Sequence, residues 1–288
     1  MNTIFLNNQF LPADEARVSV LDRGFIFGDG VYEVIPVYGG KLFRLEQHLD
    51  RLDNSLISIR IPPPLSHDRW ERTLKELVAK NGNGDQSVYI QITRGVAPRD
   101  HGFPDDIKPT IMAMSSELKP VSADLLGQGV GAITLNDFRW EHCNIKAIAL
   151  LANILARQQA LDVNASEAIL IRDGFVTEGA ASNVFTVNDR EITTPPASSF
   201  LLPGITRDLV MELAAANHIA CREAAISADD LAGADEIWLT SSTKEILPVT
   251  LLNNRKVGNG KPGPIWSRML ALYQDYKQHI REHGEDAA

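Results

Sequence analysis

Apolar residues along this chain switch repeatedly between a spacing of two and a spacing of three to four. The pattern is lost from Ser115 to Val121. A spacing of two builds half-buried strands, and a spacing of three to four lines up one helix face. Their alternation over 288 residues predicts an α/β (α+β) fold. The lapse contains Pro120 and reads as an interdomain linker. The expected division is an N-terminal α/β domain over residues 1–118, a linker at 119–123 and a C-terminal domain over 124–288. The length by itself fits two modest domains or one large one.

In the first half, Thr3–Leu6 and Phe10–Leu11 flank Asn7-Asn8 as a hairpin. Val31–Tyr38 alternates and turns at Gly39-Gly40 into Lys41–Phe43. Leu45, His48, Leu49, Leu52 and Leu56 form a helical stripe with Arg51 on its flank, and Pro62 to Pro64 stop that helix. A second helix is expected over His67–Lys80, capped by Ser66 and ended by Asn81-Gly82. Strands are expected at Ser87–Thr93 and Thr110–Met114. In the second half, Val130–Leu135, Ala168–Ile171, Phe175–Glu178, Ser182–Val187 and Glu236–Thr240 read as strands. Helices are expected over Ala147–Asp162, with Ile148, Leu151, Ala152 and Leu155 on one face, from Ile205, and over Ile265–Ile280.

Hydrophobic residues at 44% and charged residues at 23% supply a core and exclude disorder. A net charge of −9 disfavours nucleic acid as a partner, although a local cationic pocket could still take a small anion. Cys143 and Cys221 form neither a disulfide framework nor a zinc motif. Ala147–Ala156 is the most apolar stretch, and it is about half a membrane span. The expectation is a soluble, cytoplasmic protein with no membrane partner.

Four features invite chemistry. Lys146 stands before an apolar helix, where a lysine ordinarily snorkels, yet desolvation there would yield a neutral nucleophilic amine. Glu178 ends a hairpin strand before Gly179, ordinarily a solvated position. Gly204-Ile205-Thr206 opens a helix whose free N–H groups suit an anion, though a glycine before a helix is common. Neither a dinucleotide fingerprint nor a P-loop is present there. Arg99 and His101 share a polar loop stiffened by Pro98.

Each signal is weak alone, but a wider set of strings carries a resemblance. They are Asp22-Arg23-Gly24, Phe27-Gly28-Asp29-Gly30-Val31-Tyr32-Glu33, His48-Leu49-Asp50-Arg51-Leu52 and Asn144-Ile145-Lys146. Thr177-Glu178-Gly179 with Ser182-Asn183-Val184-Phe185, Pro203-Gly204-Ile205-Thr206-Arg207 and Ser241-Ser242-Thr243 before Pro248 complete them. Over nearly its full length the chain resembles the fold-type IV pyridoxal-phosphate enzymes, the class IV aminotransferases.

The resemblance implies an N-terminal α/β sandwich, a C-terminal pseudo-barrel and a homodimer that borrows a loop from its partner. It implies that Lys146 carries pyridoxal 5′-phosphate as a Schiff base and that Glu178 pairs with the ring nitrogen. Arg51, Ile205, Thr206 and Ser242 would hold the phosphate, and Leu202 would pack on the ring. Pro98-Arg99-Asp100-His101 resembles the Pro-Arg-x-His string of D-amino-acid aminotransferases, where Arg, His and the tyrosine matching Tyr32 take the substrate carboxylate. The implied reaction joins a D-amino acid, D-alanine first, to a 2-oxo acid such as 2-oxoglutarate. Alternatives of the same fold are a branched-chain L-amino-acid aminotransferase, an R-selective amine transaminase and a 4-amino-4-deoxychorismate lyase. A cofactor-free binding protein is the remote alternative. Ala180 and Ala181 stand where some relatives carry serines.

Overall fold

The computed structural model describes residues 2–82, 84–106 and 108–284. The chain forms two compact units. The first comprises residues up to Lys119, the segment Ile145–Ala149, and the chain from Lys277; the second comprises Pro120–Asn144 and Leu150–Tyr276.

The first unit is built on a six-stranded sheet ordered β2-β1-β6-β5-β3-β4. Its strands are β1 (Thr3–Leu6), β2 (Gln9–Pro12), β3 (Gly30–Tyr38), β4 (Lys41–Leu42), β5 (Gln86–Thr93) and β6 (Thr110–Glu117). The short helix α1 (Arg23–Phe27) precedes β3, and α2 (Leu45–Ser58) and α3 (His67–Lys80) pack on the sheet. Alternation aims Val31, Ile35, Val88, Ile90 and Ile92 at Leu49, Leu52, Trp70, Leu74 and Leu77 of the helices, which closes the core. Ser66 caps α3 as expected, its hydroxyl accepting from the Arg69 N–H.

The second unit holds α4 (Ala123–Gln128), β7 (Val130–Asn136), α5 (Leu151–Asp162), β8 (Glu167–Arg172), β9 (Phe175–Gly179), β10 (Asn183–Asn188) and β11 (Glu191–Thr194). It continues with α6 (Ile205–Ala216), β12 (Cys221–Glu223), α7 (Ala228–Ala232), β13 (Glu236–Ser241), β14 (Glu245–Leu252), β15 (Arg255–Lys256) and α8 (Pro264–His283), the last running on into the first unit. The sheet order is β12-β11-β10-β13-β14-β7-β8-β9, with β15 beside β14. β9 returns alongside β10, where the Gly179 N–H donates to the Ser182 carbonyl at 2.6 Å. That return curls the sheet into the pseudo-barrel. Among the described residues no helix is long and apolar enough to cross a membrane.

Several elements depart from the sequence reading. β6 continues to Glu117, because its ladder with β5 runs through Ser115, Ser116 and Glu117 and needs only backbone groups. Ala147 to Leu150 is not helical. The Lys146 carbonyl accepts from the Tyr32 N–H, the Ile148 N–H donates to the Gly30 carbonyl, and Ala147 bridges Val31, so this backbone is already spent on β3. α5 therefore starts at Leu151. It also buries a face turned away from most of the expected one. Ala156 and Ala160 pack on Ala168 and Leu170, whereas Leu151 and Leu155 are 70% and 50% exposed. Small residues let helix and sheet approach closely, which outweighs the larger apolar area of the leucines. β14 escaped the reading because Pro248 interrupts its pattern, a residue normally foreign to strand interiors.

Candidate active site

In the first unit the candidate residues collect around β3. The edge pairing described above fixes Lys146, and its N–H also donates to Ser55 Oγ on α2 (3.2 Å). Its Nζ lies 4.3 Å from the centre of the Tyr32 ring, a cation–π approach when the amine is charged. Tyr32 in turn stacks on Tyr89, centroids 5.7 Å apart.

Arg51 is buried rather than merely flanking its helix. Its Nε donates to Glu33 Oε1 (2.7 Å) and its Nη2 to Glu33 Oε2 (2.8 Å). His48 Nδ1 lies 2.8 Å from the same Oε2, so His48 belongs to a polar cluster and not to the apolar stripe. Burial alone would raise the pKa of Glu33, but the Arg51 guanidinium and His48 outweigh it and hold the carboxyl well below its ordinary value. Burial pushes His48 down. The forked pair aligns Arg51 before any ligand arrives.

Arg99 and His101 are exposed in the loop after β5. Both lie against Phe27: the Arg99 Cζ is 5.4 Å from its ring centre, and the His101 ring is 5.4 Å away. The structure thus gathers Arg99 with His101 on Phe27, and Lys146 with Tyr32 and Tyr89.

In the second unit Glu178 ends β9 in a buried setting. Oε1 accepts from Arg139 Nη1 (2.5 Å), and Oε2 accepts from the Leu202 N–H (3.0 Å) and Asn183 Nδ2 (3.3 Å). Arg139 is also forked onto Asp137, through Nε at 2.9 Å and Nη2 at 2.9 Å. Burial would lower the Arg139 pKa, yet Asp137 and Glu178 raise it above its ordinary value, so Arg139 is a fixed cation. Asn183 Nδ2 also donates to the Leu202 carbonyl (2.9 Å), so one amide ties Glu178 to the segment that leads into α6.

That segment has no room to spare. A Cβ on Gly204 would lie 1.9 Å from Asn183 Oδ1. Gly204 is the N-cap of α6 and supplies no side-chain cap. Ile205 and Thr206 are nonetheless buried. First-turn N–H groups need an acceptor, and a buried, uncapped helix start with a hydroxyl in its first turn fits a phosphate. β10 pairs Asn183 with Thr240, so the turn carrying Ser242 leaves β13 at the sheet end where β10 begins. Within the second unit the donor set therefore fits a phosphorylated pyridine: an uncapped helix start and a clamped carboxylate.

Gly204→Ala provides a direct check. The backbone φ of −79° is ordinary, so the penalty is purely steric. We expect a loss of about 1–3 kcal/mol in thermal unfolding, as Asn183 is driven off Glu178. Gly131→Ala, which meets nothing closer than 3.8 Å, should stay near wild type.

Sequence reasoning gives no role to Asp137, Arg139 or Glu33. No periodicity or spacing marks them, since Arg139 meets Glu178 and Glu33 meets Arg51 only across elements, and only a search for partners of Glu178 and Arg51 would have found them.

Two such units, each presenting these groups, define a fold-type IV transaminase. The fold IV-transaminase CpuTA1 from Curtobacterium pusillum superposes with a TM-score of 0.80 at 26% identity, covering 92% of each chain. A T.th. branched-chain amino acid aminotransferase with pyridoxamine 5′-phosphate superposes with a TM-score of 0.92 at 27% identity, covering 99% of this chain and 97% of its own. The chain belongs to the class IV aminotransferases, whose family model matches residues 30–252. In sequence it is 40% identical to a D-alanine aminotransferase of Bacillus licheniformis, over 94% of this chain and 96% of that one.

Proposed function

We propose that this aminotransferase transfers the amino group of a D-amino acid, D-alanine first, to a 2-oxo acid such as 2-oxoglutarate, with pyridoxal 5′-phosphate as cofactor. The observation that carries D-selectivity is the pairing of Arg99 and His101 on Phe27, within the Pro98–His101 string. The relatives named D-alanine aminotransferase support it.

When bound, the cofactor ring supplies a sink for the electrons left at Cα when its proton departs. The chain's own groups do the rest. Lys146 would attach the cofactor through its amine and, once released, would take the proton from Cα and deliver it to the cofactor's C4′. Tyr32 lies beneath that amine and restricts its approach. Glu178, locked by Arg139, Asn183 and the Leu202 N–H, presents a carboxylate to the ring nitrogen and favours its protonated form. Ile205 and Thr206 at the start of α6, with Ser242 and Arg51, would hold the phosphate. Leu202 would pack against the ring. Arg99, His101 and Tyr32 receive the substrate carboxylate, and with that group fixed only one enantiomer turns its Cα–H toward Lys146. A homodimer that borrows a loop from its partner is part of this reading.

The test is a half-reaction panel on the loaded enzyme with D-alanine, D-glutamate, L-leucine and a simple R-amine. D-Alanine should discharge the visible absorbance of the cofactor. A response to L-leucine without one to D-alanine would select the branched-chain reading instead. Arg99→Ala should raise the half-saturating D-alanine concentration by roughly 10- to 100-fold, the worth of one charge-assisted hydrogen bond, while leaving the R-amine response unchanged. Equal losses for both substrates would remove Arg99 from carboxylate binding.

A further inference from the structure

We propose that Arg23 is a positioning residue for substrate recognition, the clamp that sets Arg99 and His101 in place; this rests on the carboxylate reading above. Arg23 is 3% exposed, at the start of α1. Its Nη1 donates to the carbonyls of Asp100 (2.5 Å) and Gly102 (3.2 Å), and its Nη2 to that of His101 (3.5 Å). One planar guanidinium therefore holds successive carbonyls of the loop that carries both cations. Its Nε donates to Asp29 Oδ2 (2.8 Å), which fixes the plane of the fork.

The same guanidinium lies 4.8 Å from the Phe27 ring centre, on the ring that Arg99 and His101 also approach. Phe27 is thus the platform and Arg23 the strap. Arg94 anchors the loop ends. It pairs with Asp29 through Nε (2.8 Å) and Nη2 (3.0 Å), and its Cζ sits 3.7 Å from the Phe103 ring centre. Its Nη2 also donates to the Ile59 carbonyl (2.7 Å), just past the end of α2, the helix that carries Arg51. Asp29 is shared by both arginines, so the recognition loop and the α2 end are referenced to one carboxylate.

Arg99, Asp100 and His101 are exposed, and a free loop of this kind would spread over many conformations. Carbonyl clamping removes that spread before substrate arrives. A lysine at position 23 would keep the charge beside Asp29 but lose the fork that spans the carbonyls. Arg23 would then act on substrate only through the loop cations.

The decisive experiment is a double-mutant cycle on the loaded enzyme, reading the D-alanine concentration dependence of the half-reaction. Arg23→Lys and Arg23→Gln should raise the half-saturating concentration about tenfold, with the limiting rate within about threefold of wild type. In an Arg99→Ala/His101→Ala background, the same substitutions should add less than about twofold, because the residues they position are gone. Phe27→Leu, which leaves the carbonyl clamp intact, should behave alike and guards against a folding defect in the Arg23 variants. Inhibition by propionate, which carries a carboxylate and no amine, should weaken in parallel. A full additional loss in the Arg99→Ala/His101→Ala background overturns the proposal alone. Unchanged D-alanine saturation in that background overturns the carboxylate reading, and this proposal with it.

Discussion

Lys146→Ala should abolish transamination, with a loss of more than about 10⁴-fold in the half-reaction with D-alanine. Two functions disappear together. The amine that attaches the cofactor is gone, and so is the base that carries the Cα proton, a contribution of about 10²–10⁴ by itself. The fold should survive, because Lys146 is placed by its backbone: its carbonyl accepts from Tyr32 and its N–H donates to Ser55. Unfolding should thus stay close to wild type while turnover vanishes. Mass spectrometry after borohydride treatment adds a readout independent of turnover, since wild type should retain the cofactor mass and the variant should not. Near-normal turnover in Lys146→Ala would refute the assignment.

Glu178→Gln should lower the limiting half-reaction rate by roughly 10²-fold or more, with a smaller effect on half-saturation. The change keeps shape and removes charge. A neutral amide no longer favours the protonated ring nitrogen, so electron withdrawal from Cα weakens in the transition state. Asp137 still pairs with Arg139, so the guanidinium is not stranded, and the stability cost should be about 1–3 kcal/mol. Stopped-flow absorbance and thermal unfolding separate the two effects. A variant that loses stability but keeps its limiting rate would reduce Glu178 to a structural anchor for Arg139.

The strands and helices that were legible are those where side-chain period and turn chemistry agree. α3 runs from His67 to Lys80 with its Ser66 cap because both signals are local. Where tertiary contacts compete, the local signal misled. The apolar run after Lys146 reads as continuous helix, yet its first residues pair along β3. The leucines of α5 read as its inner face, yet alanines occupy the tight contact with β8. His48 sits at a stripe position but faces a buried carboxylate.

The candidate site divides along the same line. Lys146, with which the proposed chemistry begins, is visible as a residue type in a recognisable string, and so are Glu178, Thr206, Arg99 and His101. Sequence alone determined the family, the alternation of strands and helices and the list of candidate groups, because these depend on residue types and their order. Only the tertiary structure decided what holds those groups: Arg139 on Glu178, Glu33 on Arg51, Arg23 on the recognition loop. These partners lie on other elements, as many as 79 residues away, and no local pattern records a contact that exists only once the chain has closed.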